Sequence, residues 1–347
     1  MTTNRTSSIS NGVNKILLVT DAWAPQVNGV VRVQNAHILA LEARGYEVSV
    51  MEPSQFFTIP MPRYPDIRLA LFARRRIKKI LQEVKPDAVH LMTEGPLGWA
   101  ARSVCMRQGI PFTTWYHSHF QLYVNIRLRG LLRPILALLR RFHSTAVRTM
   151  VSTESLKKEL ESVGYKNIVI VPLGVDVNNF VRNPSPKLPP LPKPVFVYFS
   201  RLDPEKSPEE FLKLDLPGTK LVIGDSRDRA RLENLYGATN MFVGAKHDQE
   251  LMDWLSLADV FVFPSRTETF GLVVVEALAC GLPVAAHNVM GPRDIITEGK
   301  DGYLSDDLRE AALKCLSLKK EDCRAKAINY SWEHSAETFL QNLSFLV

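Results

Sequence analysis

The sequence is poor in several features that would place it in a particular class of protein. Its 347 residues include four cysteines, Cys105, Cys280, Cys315 and Cys323, and their spacing fits neither a metal-ligand set nor a redox pair. No apolar run approaches the length that spans a bilayer. The first 13 residues are small and polar without an apolar segment, so we expect a loose tail and not a signal peptide. Together these features predict a reduced, cytoplasmic protein.

Two phosphate-binding signatures are also missing. The chain has no G-x-G-x-x-G, which weakens a dinucleotide-binding interpretation. It has no D-x-D acidic pair either, so we expect no metal-held diphosphate and no essential metal or cofactor.

Acidic residues are absent from one long stretch of the chain. Between Glu94 and Glu154 there is no Asp or Glu, and a shorter basic run, RRRIKK at 74–79, lies in the same half. Such asymmetry predicts an anionic partner or surface. The arginines of the acid-free stretch are Arg102, Arg107, Arg127, Arg129, Arg133, Arg140, Arg141 and Arg148.

The centre of that stretch, IRLRGLLRPILALLRRF, interleaves leucine and isoleucine with arginine as an interfacial helix does. We expect it to meet an anionic membrane through its arginines, Arg129 and Arg133 among them. A nucleic acid would also satisfy the charge, but stacking aromatics and a known binding motif are missing. The alternative is a solvated helical face with some buried leucines. The residues that we expect to enter the membrane interface are Leu131, Leu132, Ile135, Leu138 and Leu139.

Apolar runs alternate with helical patterns along most of the chain. Strands are predicted at 15–20, 47–51, 88–92, 112–115, 149–152 and 168–171, with helices at 30–44, 69–83 and 154–163. The segment NPSPKLPPLPKP at 183–194 is too rich in proline for a helix or central strand, so it is predicted to be an extended linker. Beyond it, strands at 195–200, 220–223, 241–243, 260–263 and 284–286 alternate with helices at 207–213, 230–235, 249–257 and 272–280. This predicts an α/β fold with one doubly wound sheet in residues 14–182 and another in residues 195–331.

The run ETFGLVVVEALACGLPV is the most informative part of the sequence. It follows DVFVFP, an apolar stretch typical of a buried parallel strand, so Glu268 is predicted at the carboxyl end of a strand and Glu276 in the next helix. The free amides of Phe270, Gly271 and Leu272 would form the helix N-terminus, where a phosphate can bind. The two acids would then hold hydroxyls on either side of a diphosphate. The alternative is that they only complement the helix dipole.

This spacing, with Phe-Gly-Leu inside it, resembles the donor signature of the retaining family 4 glycosyltransferases of the GT-B fold. The resemblance runs from about Lys15 to the carboxyl terminus. It implies two Rossmann-like domains that face each other across a cleft, with residues 332–347 crossing back to the first domain. It also implies that Glu268 contacts the transferred sugar and that Glu276 contacts the ribose of a nucleotide-sugar donor.

Further motifs match the family residue by residue. In DAWAPQVNGV, Asn28 and Gly29 match a loop that contacts the donor phosphate and the acceptor. In SRLDPEKS, Arg201 and Lys206 match the cations that neutralise the departing nucleoside diphosphate. In TTWYHSHF, His117 matches a histidine near the transferred sugar.

Two other residues bear on the acceptor and on the local structure. Glu94, in TEGPLG, belongs to a phrase that resembles a bacterial subgroup acting on lipid or polyprenol-linked acceptors. The resemblance implies that the first domain binds the acceptor, and we expect Glu94, Arg129 and Arg133 to lie near it. His119 and Asp176 are predicted to be structural. The loop GDSRDR departs from the family pattern, and its Ser226 and Arg227 leave the nucleotide base open.

These observations predict a retaining glycosyltransferase that moves a sugar from a nucleotide-sugar to a membrane lipid, at the inner face of the membrane. The family mechanism implies that the leaving phosphate oxygen takes the acceptor proton on the same face of the sugar. Two alternatives remain open: an epimerase or phosphorylase on the same fold, and a catalytically silent sugar-nucleotide binding protein. Nucleic acid is not expected as a partner.

Overall fold

The computed structural model describes residues 14–26, 29–62, 64–117 and 132–346. The predicted tail at 1–13, Asn28, His119 and Arg129 lie outside the described residues. The side chain of Arg133 is also outside them, although its backbone belongs to a helix.

The first half of the chain builds a six-stranded parallel sheet with the order β2-β1-β5-β6-β7-β8. Its central strands are buried on both faces, as strands covered by helices must be. A two-stranded antiparallel hairpin of β3 and β4 stands apart from this sheet. The strands are β1 (Lys15–Val19), β2 (Glu47–Met51), β3 (Phe57–Met61), β4 (Tyr64–Leu71), β5 (Ala88–Leu91), β6 (Thr113–Trp115), β7 (Thr149–Val151) and β8 (Ile168–Ile170).

The second half builds another six-stranded parallel sheet, with the order β11-β10-β9-β12-β13-β14. Strand β9 lies in the middle, paired with β10 on one side and β12 on the other. The strands are β9 (Val195–Phe199), β10 (Thr219–Ile223), β11 (Met241–Gly244), β12 (Val260–Phe263), β13 (Val284–Ala286) and β14 (Gly302–Leu304).

Helices cover both sheets in the described part of the chain. Those of the first half are Gly29–Glu42, Arg74–Val84, Pro96–Gln108, Leu132–His143 and Glu154–Ser162. Those that follow are Pro208–Leu212, Arg229–Tyr236, Asp248–Leu257, Leu272–Ala279, Pro292–Ile295, Leu308–Cys315, Lys320–Ile328 and Trp332–Asn342. None of the described helices combines the length and apolar character that a bilayer crossing requires.

The last helix, Trp332–Asn342, leaves the second sheet and packs against Gly29–Glu42 of the first half. Ser335 donates a hydrogen bond to the Pro172 carbonyl (2.6 Å) and contacts His37 Nε2 at 2.9 Å. The ring of Phe339 stacks on His37 with the centroids 5.1 Å apart. The chain therefore returns to its first half at the end.

The predicted α/β fold with two doubly wound parallel sheets is confirmed. One predicted element is wrong. Residues 69–71 end strand β4 of the hairpin instead of starting a helix, and the helix begins at Arg74. The pattern misled because Leu69 and Leu71 of the strand are followed directly by the amphipathic helix, which extends the apparent helical period.

Candidate functional site

Among the described residues, four polar contacts join the two halves of the chain near the carboxyl ends of their strands. Thr269, after β12, donates to the carbonyl of His117 at 3.5 Å, and the carbonyl of Thr269 accepts from Thr153 at 3.3 Å. The amide of Ser155 donates to Asp294 at 2.8 Å. The fourth contact is an ion pair between Arg32 and Glu276. Ligands of doubly wound sheets bind at this end of the strands.

Lys206 and Glu268 form an ion pair at the centre of this region. The Nζ atom of Lys206 lies 2.7 Å from Glu268 Oε2, and both side chains are largely buried, with 17% and 15% exposed. Glu268 Oε1 accepts a hydrogen bond from the amide of Thr269 at 3.1 Å. Two residues that lie far apart in the sequence therefore meet as one charged unit.

Backbone contacts hold the loops of this pair together. The carbonyl of Glu205 accepts from Thr267 Oγ1 at 3.0 Å and from Ser265 Oγ at 3.3 Å. Because Glu205 precedes Lys206 and Thr267 precedes Glu268, these bonds hold the two loops that carry the ion pair next to each other. The sequence did not predict this contact, because serine and threonine are common in loops and nothing else marks Ser265 and Thr267.

Arg201 takes a more exposed position than Lys206. Its guanidinium lies 2.7 Å from Asp203 and also contacts Glu205, and 65% of its side chain is exposed. The structure therefore places Arg201 at the rim of the same loop, turned toward two acids of its own segment. A role in neutralising a leaving group stays a prediction.

The helix N-terminus predicted at Phe270, Gly271 and Leu272 is present, with the helix starting at Leu272. Gly271 adopts φ 92°, a left-handed conformation that favours glycine. The side chain of Phe270 is buried and meets the Tyr330 ring edge-on at 5.8 Å, so it anchors the loop in the core. A Cβ on Gly291 would lie 2.6 Å from the Phe270 carbonyl, which explains why glycine follows β13 here.

Glu276 lies inside the helix, with 4% of its side chain exposed. Burial raises the pKa of its carboxyl, and the neighbouring Arg32 guanidinium opposes that rise. Arg32 comes from the first turn of helix Gly29–Glu42, which opens with the predicted Gly29. Both residues line a cavity of 1010 Å³ between the two halves of the chain, together with Phe180 and His247. Sequence reasoning did not identify Arg32, because nothing local marks an arginine whose partner lies in the other half.

His117 lies flat on Trp115, with the ring centroids 4.9 Å apart and the planes 6° from parallel. Burial lowers the pKa of His117 to about 3, with His37 and His143 adding to the effect, so its imidazole is neutral near pH 7. Its Nε2 atom has no hydrogen-bond partner among the described residues. A neutral ring with a free nitrogen can hold a hydroxyl but cannot supply a positive charge.

Glu94 belongs to a buried polar cluster in the first half. Its Oε1 atom lies 3.2 Å from His143 Nε2, and His143 Nδ1 lies 2.9 Å from Thr114 Oγ1. The Glu94 charge adds to burial in raising the pKa of Tyr165 and of Tyr116. Glu94 is thus held by His143 after β5, and an acceptor role stays a prediction.

Asp21 is a structural residue that sequence reasoning missed. Its carboxylate accepts from the amides of Leu97 at 2.7 Å and Gly98 at 3.1 Å, so it caps helix Pro96–Gln108 from a different segment. A Cβ on Gly95 would overlap the Asp21 carboxyl group. This close approach explains Gly95, whereas a Cβ on Gly98 would lie 2.1 Å from the Thr93 carbonyl.

Some residues of the acid-free stretch between Glu94 and Glu154, which was predicted to face a membrane, stabilise the fold instead. Arg102 is 8% exposed and donates to the carbonyls of Phe142 and Arg141 at 2.9 and 2.8 Å. Arg148 donates to the carbonyls of Asn342 and Leu343, both at 3.3 Å. Leu139 is buried, so the prediction that it enters a membrane interface is wrong. Consecutive residues of a helix lie about 100° apart, so Leu139 is buried although its neighbour Leu138 is 50% exposed.

Comparison with known proteins identifies two family models along the chain. Residues 27–179 match the model described as Glycosyltransferase Family 4, and residues 180–331 match the one described as Glycosyl transferases group 1. A GDP-mannose-dependent alpha-mannosyltransferase of Mycobacterium tuberculosis is 29% identical over 317 residues, covering 84% of this chain and 83% of that protein. An alpha-monoglucosyldiacylglycerol synthase of Acholeplasma laidlawii is 25% identical over 360 residues, covering 88% of each.

Solved structures support the same architecture. Sucrose-phosphate synthase from Thermosynechococcus elongatus superposes with a TM-score of 0.74 at 21% identity, covering 94% of this chain and 98% of that one. Anabaena HepE in complex with UDP-glucose superposes with a TM-score of 0.68 at 18% identity, again covering 94% and 98%.

Proposed function

This chain belongs to the GT-B glycosyltransferases that combine a Family 4 domain with a group 1 domain, and we propose that it transfers a hexose from a nucleotide-sugar to a membrane lipid with retention at the anomeric carbon. The observation that carries the proposal is the Lys206–Glu268 ion pair beside the contact between Thr269 and His117. It brings a cation, a carboxylate and a neutral imidazole to one end of both sheets. A cation can stabilise the nucleoside diphosphate that leaves the hexose, while the carboxylate and the imidazole can hold hydroxyls of the sugar.

Lys206 has the central role in this proposal. As the bond between the sugar and the diphosphate breaks, negative charge grows on the leaving oxygen, and an ammonium ion fixed nearby stabilises it. Glu268 holds Lys206 in place and accepts hydrogen bonds from sugar hydroxyls. The amides at the start of helix Leu272–Ala279 contribute partial positive charge to the same diphosphate.

The acceptor proton goes to the leaving phosphate oxygen on the same face of the sugar, which keeps the configuration. His117 is neutral, so in this proposal it positions a sugar hydroxyl and does not act as an acid. Glu276 holds the ribose. Arg201 stands at the rim, where it can meet the diphosphate after leaving Asp203. No metal enters this scheme.

A surface of the first half supports a membrane acceptor. The apolar–basic surface consists of the exposed apolar residues of the β3–β4 hairpin and the exposed cations of helix Arg74–Val84. Phe72 is 90% exposed and holds φ 55°, an unusual conformation for an aromatic residue. Apolar side chains beside cations fit the interface of an anionic bilayer. The members of this surface are Phe57, Ile59, Met61, Phe72, Arg74, Arg75, Arg76, Lys78 and Lys79.

The relatives make a lipid acceptor reasonable. One relative is by name a synthase of monoglucosyldiacylglycerol, and others are GDP-mannose-dependent mannosyltransferases. We propose that the protein binds peripherally at the inner face of the membrane.

The direct test is a transfer assay. Purified protein is incubated with labelled GDP-mannose or UDP-glucose and with vesicles that contain diacylglycerol and phosphatidylglycerol, in the presence and absence of EDTA. We expect a labelled lipid with an α-linked sugar, formed equally with EDTA. Release of free sugar alone, a β-linked product, or transfer only to soluble sugars would contradict the proposal.

Vesicle sedimentation tests the membrane surface. We expect binding to anionic vesicles at low salt, reduced when Arg75 and Arg76 are both changed to Ser and when Phe72 is changed to Ser. The control is Lys157→Ser with Lys158→Ser, which removes two cations from another helix of the same half. Binding that is insensitive to the surface variants would show that another part of the chain meets the membrane.

A further inference from the structure

The ion pair between Arg32 and Glu276 crosses from one domain to the other. Arg32 belongs to helix Gly29–Glu42 of the first domain, and Glu276 belongs to helix Leu272–Ala279 of the second. The guanidinium contacts Oε1 directly. Glu276 is 4% exposed, whereas 46% of the Arg32 side chain remains in solvent. A partly exposed arginine of one domain is therefore paired with a buried carboxylate of the other.

Glu276 depends on this contact. A carboxylate withdrawn from water is costly unless a cation or several hydrogen-bond donors compensate it. Among the described residues, Arg32 is the only cation that forms an ion pair with Glu276. Any ligand that takes the place of Arg32 must therefore supply hydrogen-bond donors of its own.

Within the described part of the chain, Glu276 is the only ion-pair partner of Arg32. Apart from this pair, its guanidinium has a distant contact with the Phe180 ring, 6.0 Å from the centroid, and no hydrogen bond to another described residue. Arg44 of the same helix differs, since it donates to the carbonyls of Ala40 at 2.9 Å and Glu333 at 2.8 Å. One broken contact is enough to release Arg32 into the 1010 Å³ cavity that it lines.

We infer that the Arg32–Glu276 pair is a latch between the two domains, which the ribose of a nucleotide has to displace in order to bind Glu276. The inference rests on the proposed function, since that function assigns the ribose to Glu276. The two vicinal hydroxyls of a ribose donate two hydrogen bonds, so they replace the guanidinium without leaving the carboxylate unsatisfied. While Arg32 is paired with Glu276, the ribose cannot bind there. Only the fraction of molecules with a broken pair binds the donor, so the apparent affinity for the donor is lower.

Calorimetry with UDP and with GDP tests the latch. We expect Arg32→Gln to bind its preferred nucleotide about 5-fold or more tightly than the wild type, because the competing cation is gone. Arg32→Lys should stay near the wild type, because it keeps a cation. Arg44→Gln is the matched control from the same helix and should remain within about 2-fold of the wild type. Unchanged or weaker binding by Arg32→Gln would overturn the latch.

Binding of the uncharged nucleoside distinguishes two effects of Arg32: its competition with the ribose for Glu276 and its attraction for phosphate. The nucleoside carries no phosphate for Arg32 to attract, so Arg32→Gln should bind it more tightly than the wild type by at least the same factor as the diphosphate. Equal affinity of the two proteins for the nucleoside would contradict the inference.

Failure of the latch is distinguishable from failure of the proposed function. If the wild type binds neither UDP nor GDP, both are wrong. If Glu276→Ala weakens binding but Arg32→Gln does not strengthen it, only the latch is wrong. Thermal unfolding of each variant verifies that the protein is folded, and Glu276→Gln in combination with Arg32→Gln closes a double-mutant cycle. In that cycle, Arg32→Gln should lose its effect once Glu276 is neutral.

Discussion

Lys206 is the single residue whose replacement bears most directly on the chemistry. We expect Lys206→Ala to lower turnover at saturating donor by about 2 to 4 kcal/mol of transition-state stabilisation, because a preorganised cation at the leaving oxygen is lost. The measurement is steady-state transfer to lipid. Lys213→Ala is a matched control, since Lys213 forms a 2.9 Å pair with Glu209 on an exposed helix. Near-normal turnover in Lys206→Ala would remove this residue from the reaction.

Substitutions of the two acids of the donor motif should have different effects on the binding of a nucleoside diphosphate. Glu276→Ala is expected to weaken nucleoside diphosphate binding, since it removes the partner of the ribose hydroxyls. Glu268→Gln is expected to leave that affinity nearly unchanged and to lower turnover, since Glu268 contacts Lys206 and the sugar. Titration with the nucleoside diphosphate is the measurement. Equal loss of affinity in both variants would contradict separate roles.

At the residue scale, local sequence motifs identified Lys206 and Glu268 but not their contact. Each follows a strand of the same sheet, and the 2.7 Å pair between them arises from the order of β9 and β12 in that sheet. Arg32 and Thr269 were not identified. Their partners belong to the other domain, and no spacing along one chain encodes a contact across a cleft.

At the scale of elements, the Asp21 cap of helix Pro96–Gln108 makes a stability prediction. We expect Asp21→Ala to lower the free energy of unfolding by about 2 kcal/mol or more, because two buried amides lose their acceptor. Urea denaturation is the measurement. Asp307→Ala is the control, since Asp307 caps Leu308–Cys315 through one 3.0 Å bond to the Glu310 amide at an exposed site.

The control variant should cost no more than about 1 kcal/mol, which is usual for an exposed cap. If the two substitutions have equal effects, burial of the Asp21 contacts contributes nothing. Gly95→Ala should resemble Asp21→Ala, since the added Cβ would force the carboxylate away from the helix.

Elements with a continuous apolar pattern were predicted well, and those that depend on neighbours were not. The buried strands β9 and β12 stand out because helices on both faces of a parallel sheet require apolar residues at every position. The β3–β4 hairpin was missed because it lies outside the sheet and leaves Phe57 and Ile59 exposed. Without a buried face, the alternation that reveals a strand disappears.

At the scale of the whole molecule, the docking of the last helix on the first domain creates a buried cluster of aromatic and imidazole rings. His37 contacts Trp115, Trp332 and Phe339, with centroids 5.1 to 5.8 Å apart. His90 meets Phe339 edge-on at 4.9 Å. Residues from four distant segments therefore share one apolar site. The resemblance to a family implied that the last helix returns to the first domain, but no pattern in the sequence predicted these ring contacts.

This cluster predicts how stability depends on pH. Burial lowers the pKa of His37 to about 4 and that of His117 to about 3. In the unfolded chain both histidines bind a proton near pH 6.5. Between these values the unfolded state binds more protons than the folded one, so the free energy of unfolding falls as the pH falls from 6.5 toward 4. For His37 alone, the loss is about 3 kcal/mol by pH 4.

Urea denaturation at pH 7.5, 6.0 and 5.0 measures this dependence. We expect His37→Phe to reduce the slope of stability against pH, because phenylalanine keeps the ring contacts but binds no proton. His334→Gln is the matched control, since His334 is exposed on the last helix itself and its removal should leave the slope unchanged. His117 keeps part of the slope in this variant, but a slope that His37→Phe does not reduce at all would show that acid destabilises the protein through groups other than His37. In that case protonation of His37 would not be the cause of a weaker contact between the last helix and the first domain at low pH.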